Sequence, residues 1–241
     1  MRRHLADKKV KMPDGKTVRV IGFRGARGAI AEARQIRALT GTTRVKSYSS
    51  PVARALGTSR LSQRAFGRKG NPAVRIRKEL GYDFSILSMD KYAEVVEKKY
   101  GNNEAKAVAA WVKGDNLGGS VKPAKEVFET MIRKRFGTAF AMEIGKAGAG
   151  TKGVARPGLL VDNLTHSALV EPIVERLTRG LPNHFQIETL VQNNKGIVMN
   201  FVPSANGKFR AVLSYEGKPM GDVTKNLAEC MLPSLRKRLE A

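Results

Sequence analysis

The sequence lacks acidic residues over one long stretch. Between Glu32 and Glu79, 46 consecutive residues contain no Asp or Glu but twelve Lys or Arg, nine of them arginine. Uncompensated positive charge on this scale repels itself in a compact fold. A polyanion relieves that repulsion, and arginine holds phosphate in two places with its planar fork. The stretch therefore predicts nucleic acid as a partner.

Other scarcities exclude several classes of protein. The single cysteine, Cys230, excludes an internal disulfide framework and a zinc site of the usual spacing. Aromatic residues make up only 6% of the chain, too few for a platform that stacks bases. No apolar run is long enough to span a bilayer, and the charged N-terminal segment has no apolar core of a secretory signal. We expect a cytoplasmic, or nucleoid- or virion-associated, protein that is not secreted.

Positive charge is concentrated in the first third of the chain. The net charge is +23, and residues 1–80 hold 21 basic and 4 acidic side chains, whereas residues 81–241 hold 23 and 17. The remainder therefore has the charge of an ordinary, mildly basic globular protein. An apolar content of 41% is sufficient for a core.

Local patterns predict elements for the first third. Valine-rich segments flanking Pro13-Asp14-Gly15 predict a hairpin over 8–23, followed by a flexible basic segment over 22–28. The predicted helices are Arg27–Leu39, Pro51–Leu56, Arg60–Phe66 and a segment from Asn71-Pro72 to Leu80-Gly81. The second and third of these have the spacing of a helix-turn-helix, but Gln63 falls where that motif needs a buried aliphatic residue. Two short surface helices are the preferred interpretation.

The rest of the chain alternates helices and strands. A strand is predicted over Tyr82–Leu87, and Ser88 and Asn103 are placed to cap the next two helices. Further predicted helices are Pro123 to Phe136-Gly137, His166–Arg179 and Asp222–Leu239, the last bent at Pro233. The predicted strands of the C-terminal part are His184–Val191, Gly196–Pro203 and Lys208–Glu216.

These elements predict an α+β fold class. It comprises a mainly helical N-terminal and middle part after a β-hairpin, then a small C-terminal helix–three-strand–helix unit. The predicted segments are a basic contact region over 1–80, a helical body over 81–144, a Gly-rich linker or loop over 145–158 and the α+β unit over 159–241. The order of elements in this last unit resembles double-stranded-RNA-binding domains, but Asp222 stands where that family binds phosphate. A small α+β domain without that activity is preferred.

Catalytic signatures are scarce. Asp162 and His166 are four residues apart and Glu171 follows, but helix capping explains the aspartate without chemistry. The basic third has no cluster of carboxylates for a metal-dependent nuclease. We therefore expect no catalytic residues, no metal and no cofactor, and the sequence leans against an enzyme.

The function predicted from the sequence is nucleic-acid binding through phosphate-backbone contacts. One alternative is a structural subunit of a nucleoprotein particle, and another is a nuclease that uses Asp162, His166 or Glu171; DNA and RNA are not distinguished. The C-terminal unit is a candidate for self-association or a protein partner, and no membrane partner is expected. The predicted contact residues are Arg27, Arg34, Arg37, Arg44, Lys46, Arg54, Arg60, Arg64, Arg68, Lys69, Arg75, Arg77 and Lys78.

Overall fold

The computed structural model of the chain confirms a mixed α+β fold. The chain divides into two compact units. The structure describes residues 7–11, 17–21, 23–40, 45–67, 73–148, 160–188, 190, 196–204 and 207–239. The first unit comprises Met1–Gly81 and Thr151–Thr165, and the second comprises Tyr82–Gly150 and His166–Ala241. The predicted segments follow the order of the chain, whereas these units do not, because a strand at 160–164 belongs to the first unit.

The first unit begins with the predicted hairpin. Strands β1 (Asp7–Lys11) and β2 (Thr17–Ile21) pair antiparallel, with Lys9 opposite Arg19. The predicted turn residues lie outside the described part of the chain. Helix α1 (Phe23–Thr40) follows, so the prediction of a flexible segment over 22–28 is wrong from Phe23 onward.

A three-stranded parallel sheet forms the centre of the first unit. Strand β3 (Val45–Ser49) lies between β4 (Arg75–Ile76) and β5 (Leu160–Leu164). All residues of β3 except the exposed Lys46 are buried. Val45 packs with Ala33 of α1 and with Phe66, so the sheet supplies one side of a small core.

Helix α2 (Ala53–Ala65) corrects the prediction of two short helices over 51–66. Gly57 does not interrupt it, and the Thr58 hydroxyl donates a hydrogen bond to the Arg54 carbonyl oxygen at 3.0 Å, one turn back. The helix-turn-helix hypothesis is therefore wrong. The helix predicted from Asn71 to Gly81 is also wrong in its described part, which is β4 and a 3₁₀ turn over Lys78–Leu80.

The second unit starts with helices, and sequence patterns located most of them. Ser88 and Asn103 accept hydrogen bonds from the backbone of Lys91 and Lys106, which confirms both predicted caps. The predicted strand over Tyr82–Leu87 is wrong, because its first four residues are helical. The elements are α3 (Tyr82–Ser85), α4 (Met89–Tyr100), α5 (Glu104–Val112), α6 (Ala124–Met131), a π-helical segment (Ile132–Phe136) and α7 (Gly137–Gly148).

The C-terminal part has the predicted order of helix, three strands and helix, but one strand differs. Residues 184–188 form no strand, and the third strand is instead β8, which sequence reasoning missed. Pro233 opens a separate last helix rather than bending a long one. The elements are α8 (Ser167–Thr178), β6 (Ile197–Pro203), β7 (Phe209–Tyr215), β8 (Lys218–Asp222), α9 (Thr224–Cys230) and α10 (Pro233–Arg236), with an antiparallel sheet ordered β6-β7-β8.

Asn226 ties α9 to the end of α8. Its side-chain amide donates hydrogen bonds to the carbonyl oxygens of Leu177 and Arg179, at 2.7 and 2.9 Å. These carbonyls lie where a helix has no internal donors left. We expect Asn226→Ala to lower the free energy of unfolding by about 1–3 kcal/mol, measured by urea denaturation. Asn200→Ala, at an exposed position of β6, is the matched control and should change it by less than about 0.5 kcal/mol.

The helices in the described ranges differ from membrane spans in length or hydropathy. None of the helices there combines the length and the apolar character needed to cross a bilayer.

Candidate functional site

The three parallel strands of the first unit end at the same edge of their sheet. The chain passes from β3 to β4 on one side, and β5 later joins the other side of β3. In open parallel sheets, ligands bind outside the carboxyl ends of the strands, where the direction of the connections reverses. Here that point lies between β3 and β5.

Hydrogen bonds hold the segments that follow the strands together at this edge. We call residues 49–54, 77–81 and 164–165 the carboxyl edge. The bonds run from Ser50 N to Leu164 O (3.0 Å), from Arg77 N to Ser49 O (2.9 Å) and from Thr165 Oγ1 to Leu80 O (2.7 Å). The segments also approach closely, since a Cβ atom at Gly81 would lie 3.1 Å from Pro51 Cδ. The edge is therefore a fixed arrangement of backbone from three chain segments.

Helix α2 starts at the carboxyl edge, directly after Val52. This N-cap residue has no side-chain oxygen to accept hydrogen bonds from the first amide groups of the helix, and the first turn contains no acidic residue. The N-terminus of a helix carries a partial positive charge and favours anions such as phosphate. Arg54 lies in that first turn and is half-buried. The first turn of α2 thus brings backbone amide groups and an arginine residue to the carboxyl edge.

Arg77 adds a second guanidinium to the carboxyl edge. It follows β4 directly, and its guanidinium carbon lies 5.4 Å from the centre of the Tyr48 ring. Its Nη1 also donates to the Ile76 carbonyl oxygen at 3.3 Å. Tyr48 is only 2% exposed, so the ring is a fixed support for the cation.

Glu79 is the sole acid of the carboxyl edge, within the residues that define it. It lies in the 3₁₀ turn after β4 and is 8% exposed. With Arg54, Arg77 and Lys78, the edge carries three basic groups against this one carboxyl group. A carboxyl group at this edge is a candidate for transferring a proton during catalysis.

Asp162 lies behind the carboxyl edge, in the middle of β5. The Ser47 hydroxyl donates to its Oδ2 at 3.4 Å, and Ser62 of α2 also bonds to it. Burial raises the pKa of this carboxyl group to about 7, although the two serine hydrogen bonds oppose the rise. Asp162 therefore faces the helix that covers the sheet and contributes to packing.

His166 and Glu171, the other two catalytic candidates from the sequence, belong to the second unit. His166 is buried and its ring stacks on Tyr82, with 4.2 Å between ring centres. Glu171 is fully buried in α8. The pKa of Tyr215 is raised mainly by burial of that tyrosine, and further by the charge of Glu171 and a hydrogen bond to it. These contacts of His166 and Glu171 thus lie within the second unit, and those of Asp162 within the first.

The structure distributes the predicted contact residues over several elements. Arg27, Arg34, Arg37, Arg60 and Arg64 are exposed on α1 and α2. Lys46, Arg75 and Lys78 are exposed in or after the strands, Arg54 and Arg77 are half-buried at the carboxyl edge, and Arg44, Arg68 and Lys69 lie outside the described residues. Sequence reasoning missed Ser50, Glu79 and Thr165, although Glu79 is the residue that ends the acid-free stretch. The role of the thirteen basic residues as contact residues stays a prediction.

The described ranges contain no cluster of side chains that could bind a metal ion. No group of three or more His, Cys, Asp or Glu side chains there is arranged to hold an ion. The expected absence of a metal and of a cofactor stays a prediction.

Comparison with known proteins finds similarity in solved structures alone. No protein-family model matches the chain, and no curated protein matches it significantly. A structure described as mycobacterial hydrolase 1 is 17% identical, with a TM-score of 0.52 over 83% of this chain and 88% of that one. Mycobacterial glucosyl-3-phosphoglycerate phosphatase is 15% identical, with a TM-score of 0.48 over 83% of this chain and 88% of that one. Its complex with inorganic phosphate has the same identity and a TM-score of 0.49 over 88% and 94%.

These comparisons correct the function predicted from the sequence. The fold is shared with a structure described as a hydrolase, so the prediction of a nucleic-acid-binding or nucleoprotein component is wrong. The nucleoprotein and nuclease alternatives fall with it, because both depend on nucleic acid. In its described part the acid-free stretch is folded: it contains a buried strand, and its cations are distributed over helices and strands. At 17% identity, the likeness to the hydrolase is one of fold.

Proposed function

We propose that this protein is a hydrolase of phosphate esters and binds the phosphoryl group of a small substrate at the carboxyl edge. The observation that carries the proposal is the half-buried Arg54 in the first turn of α2, at the carboxyl ends of three parallel strands. The fold shared with a mycobacterial hydrolase supports it. Arginine, helix N-terminus and strand ends together suit a bound phosphate.

The proposed chemistry is electrostatic. In phosphoryl transfer, charge develops on the phosphoryl oxygens, and fixed donors that face these oxygens stabilise the transition state. Arg54 and the first amide groups of α2 supply such donors from one side. Arg77, held against Tyr48, supplies a second cation at the same edge.

Glu79 is the proposed proton donor. Water attacks phosphorus as the bond to the ester oxygen breaks, and the Glu79 carboxyl group gives its proton to the departing oxygen, which leaves as an alcohol. The attacking water loses a proton as inorganic phosphate forms, and Glu79 is protonated again. A positioned acid of this kind contributes typically about 10²–10⁴-fold to the rate.

The test compares leaving groups. We expect the wild-type protein to release inorganic phosphate from alkyl phosphates and from p-nitrophenyl phosphate. Glu79→Gln should lower kcat for an alkyl phosphate by about 10²-fold or more, because an alkoxide needs a proton to depart. With p-nitrophenyl phosphate the loss should be much smaller, since nitrophenolate leaves without one.

Glu97→Gln, at an exposed position of α4, is the matched control and should retain wild-type rates with both substrates. Failure of the wild-type protein to release phosphate from any phosphate ester overturns the proposed function. Equal losses with both leaving groups in Glu79→Gln overturn the role of Glu79 alone.

We also propose two coarser properties. A cytoplasmic location is supported by the single cysteine, which is buried and leaves the chain without an internal disulfide. Self-association through the C-terminal unit is supported by Val198 and Val202, which are 42% and 45% exposed on β6 at one end of its sheet. Sedimentation velocity tests the second: a monomer at every concentration would contradict it.

A further inference from the structure

Two arginine side chains converge on one tyrosine ring in the first unit. The guanidinium carbons of Arg75 and Arg77 lie 5.9 and 5.4 Å from the centre of the Tyr48 ring. Arg75 Nη1 also donates to the Tyr48 hydroxyl oxygen at 3.4 Å. Like charges gathered on a neutral ring repel each other, so this arrangement is most stable with an anion between them.

The sheet separates these cations from the nearby carboxyl group. Side chains alternate between the faces of a strand, and residues paired in register share a face. Tyr48 pairs with Arg75 on one side and with Asn163 on the other. Asp162, one residue away, points to the opposite face with Ser47 and α2. The Tyr48 face therefore receives positive charge from β3 and β4 and no carboxylate from these three strands.

Asn163 provides a second, independent observation on the same face. Its Oδ1 is buried and has no hydrogen-bond partner within the described ranges. A buried acceptor without a donor is destabilising, and native structures normally supply a partner. A hydroxyl group of a ligand would supply that donor. The face thus offers cationic donors for an acidic group and an acceptor for a hydroxyl group.

We infer that Arg75, Arg77 and Asn163 form a second subsite, which binds another acidic group of the substrate. The inference rests on the proposed function, because the ester phosphate lies at the carboxyl edge and Arg77 borders both places. Arg75 lies two residues before Arg77, about 7 Å along an extended strand. The substrate class is therefore a small hydroxylated phosphate ester with a carboxylate or a second phosphate a few bonds from the first.

The Tyr48 ring prepares this subsite. Arginine stacked on an aromatic ring is held with its donor edge free to meet an anion, so less side-chain entropy is lost on binding. Lysine at position 75 would keep the charge but lose the planar stacking and the paired donors. Comparing Arg75→Lys with Arg75→Gln, which removes the charge as well, therefore separates the effect of charge from that of geometry.

The experiment measures kcat and KM for matched phosphate esters that end in a carboxylate, a second phosphate or a neutral amide. We expect wild-type kcat/KM to favour the acidic esters, and Arg75→Gln to lower it by about 10- to 100-fold for them, mainly through KM. The neutral ester should be unaffected. For the acidic esters, kcat/KM of Arg75→Lys should fall between the values for the wild type and for Arg75→Gln. Comparing the carboxylate ester with the second-phosphate ester shows which acidic group is preferred.

Arg64→Gln, at an exposed position of α2, controls for the loss of one positive charge and should leave the preference unchanged. Unfolding midpoints of the variants equal to that of the wild type exclude a folding defect. A neutral ester hydrolysed as well as the acidic ones, with no change in Arg75→Gln, overturns the subsite and leaves the hydrolase intact. No hydrolysis of any ester overturns the proposed function instead.

Discussion

Replacing Arg54 by alanine is expected to lower kcat/KM for phosphate-ester hydrolysis by about 10²–10³-fold. Arg54 lies in the first turn of α2, at the carboxyl edge. Removal of one fixed donor that faces developing charge has an effect of this size in other enzymes. Arg54→Lys keeps the charge but not the two-point contact, so its loss should be smaller.

Arg60 provides the matched control for Arg54. It lies on the same helix but is exposed, and Arg60→Ala should retain activity within about twofold. A parallel measurement records the thermal unfolding midpoint of each protein at increasing concentrations of inorganic phosphate. Phosphate should raise the midpoint of the wild type and of Arg60→Ala but not that of Arg54→Ala, because a ligand stabilises only a fold that binds it. Equal losses of activity in both variants would contradict a specific role for Arg54.

Elements with local signals could be predicted from the sequence. Ser88 and Asn103 cap helices through contacts three residues away, so the sequence around each contains its own evidence. The same holds for β6 and β7, which neighbour each other in the chain and in the sheet. Short-range hydrogen bonds and alternating apolar residues are sufficient in such cases.

The parallel sheet could not be predicted in the same way. Strand β3 pairs with β5 across a separation of 115 residues, as between Ser47 and Asp162, and β4 has only two residues. Neither pairing leaves a local pattern, and the segment containing β4 was predicted to be helical. Its backbone instead bonds to the end of β3, so tertiary pairing overrides the local preference.

The candidate site was only partly predictable for the same reason. The sequence predicts Arg54 and Arg77 as contacts to the phosphates of nucleic acid, and the proposed site keeps both residues for a different ligand, the phosphoryl group of a small ester. Their partner at the edge, Glu79, gave no signal beyond its position at the end of the acid-free stretch. The number of charged residues indicates how strongly they repel one another in a fold. Which of them lie close together depends on the order of the strands in the sheet.

The second large effect concerns Asp162, which should make stability depend on pH. Burial raises the pKa of its carboxyl group from 3.8 to about 7 in the folded chain. The folded state therefore binds the proton more tightly than the unfolded state does. This contribution to stability is fully present below pH 4, is lost as the pH rises to about 7 and stays absent above that.

Asp162→Asn should therefore become more stable than the wild type as the pH rises. The amide keeps the shape of the protonated acid and never ionises, so its advantage should reach about 4 kcal/mol at pH 8 and vanish near pH 4. Urea denaturation at several pH values measures both proteins. Asp115→Asn is the control with the opposite sign, because hydrogen bonds from Lys99 and Tyr100 lower the pKa of Asp115 to about 2. It should destabilise at neutral pH and lose its effect as the pH falls from 4 towards 2. Parallel curves for the wild type and Asp162→Asn would contradict this prediction, because they would show that folding leaves the pKa of Asp162 unchanged.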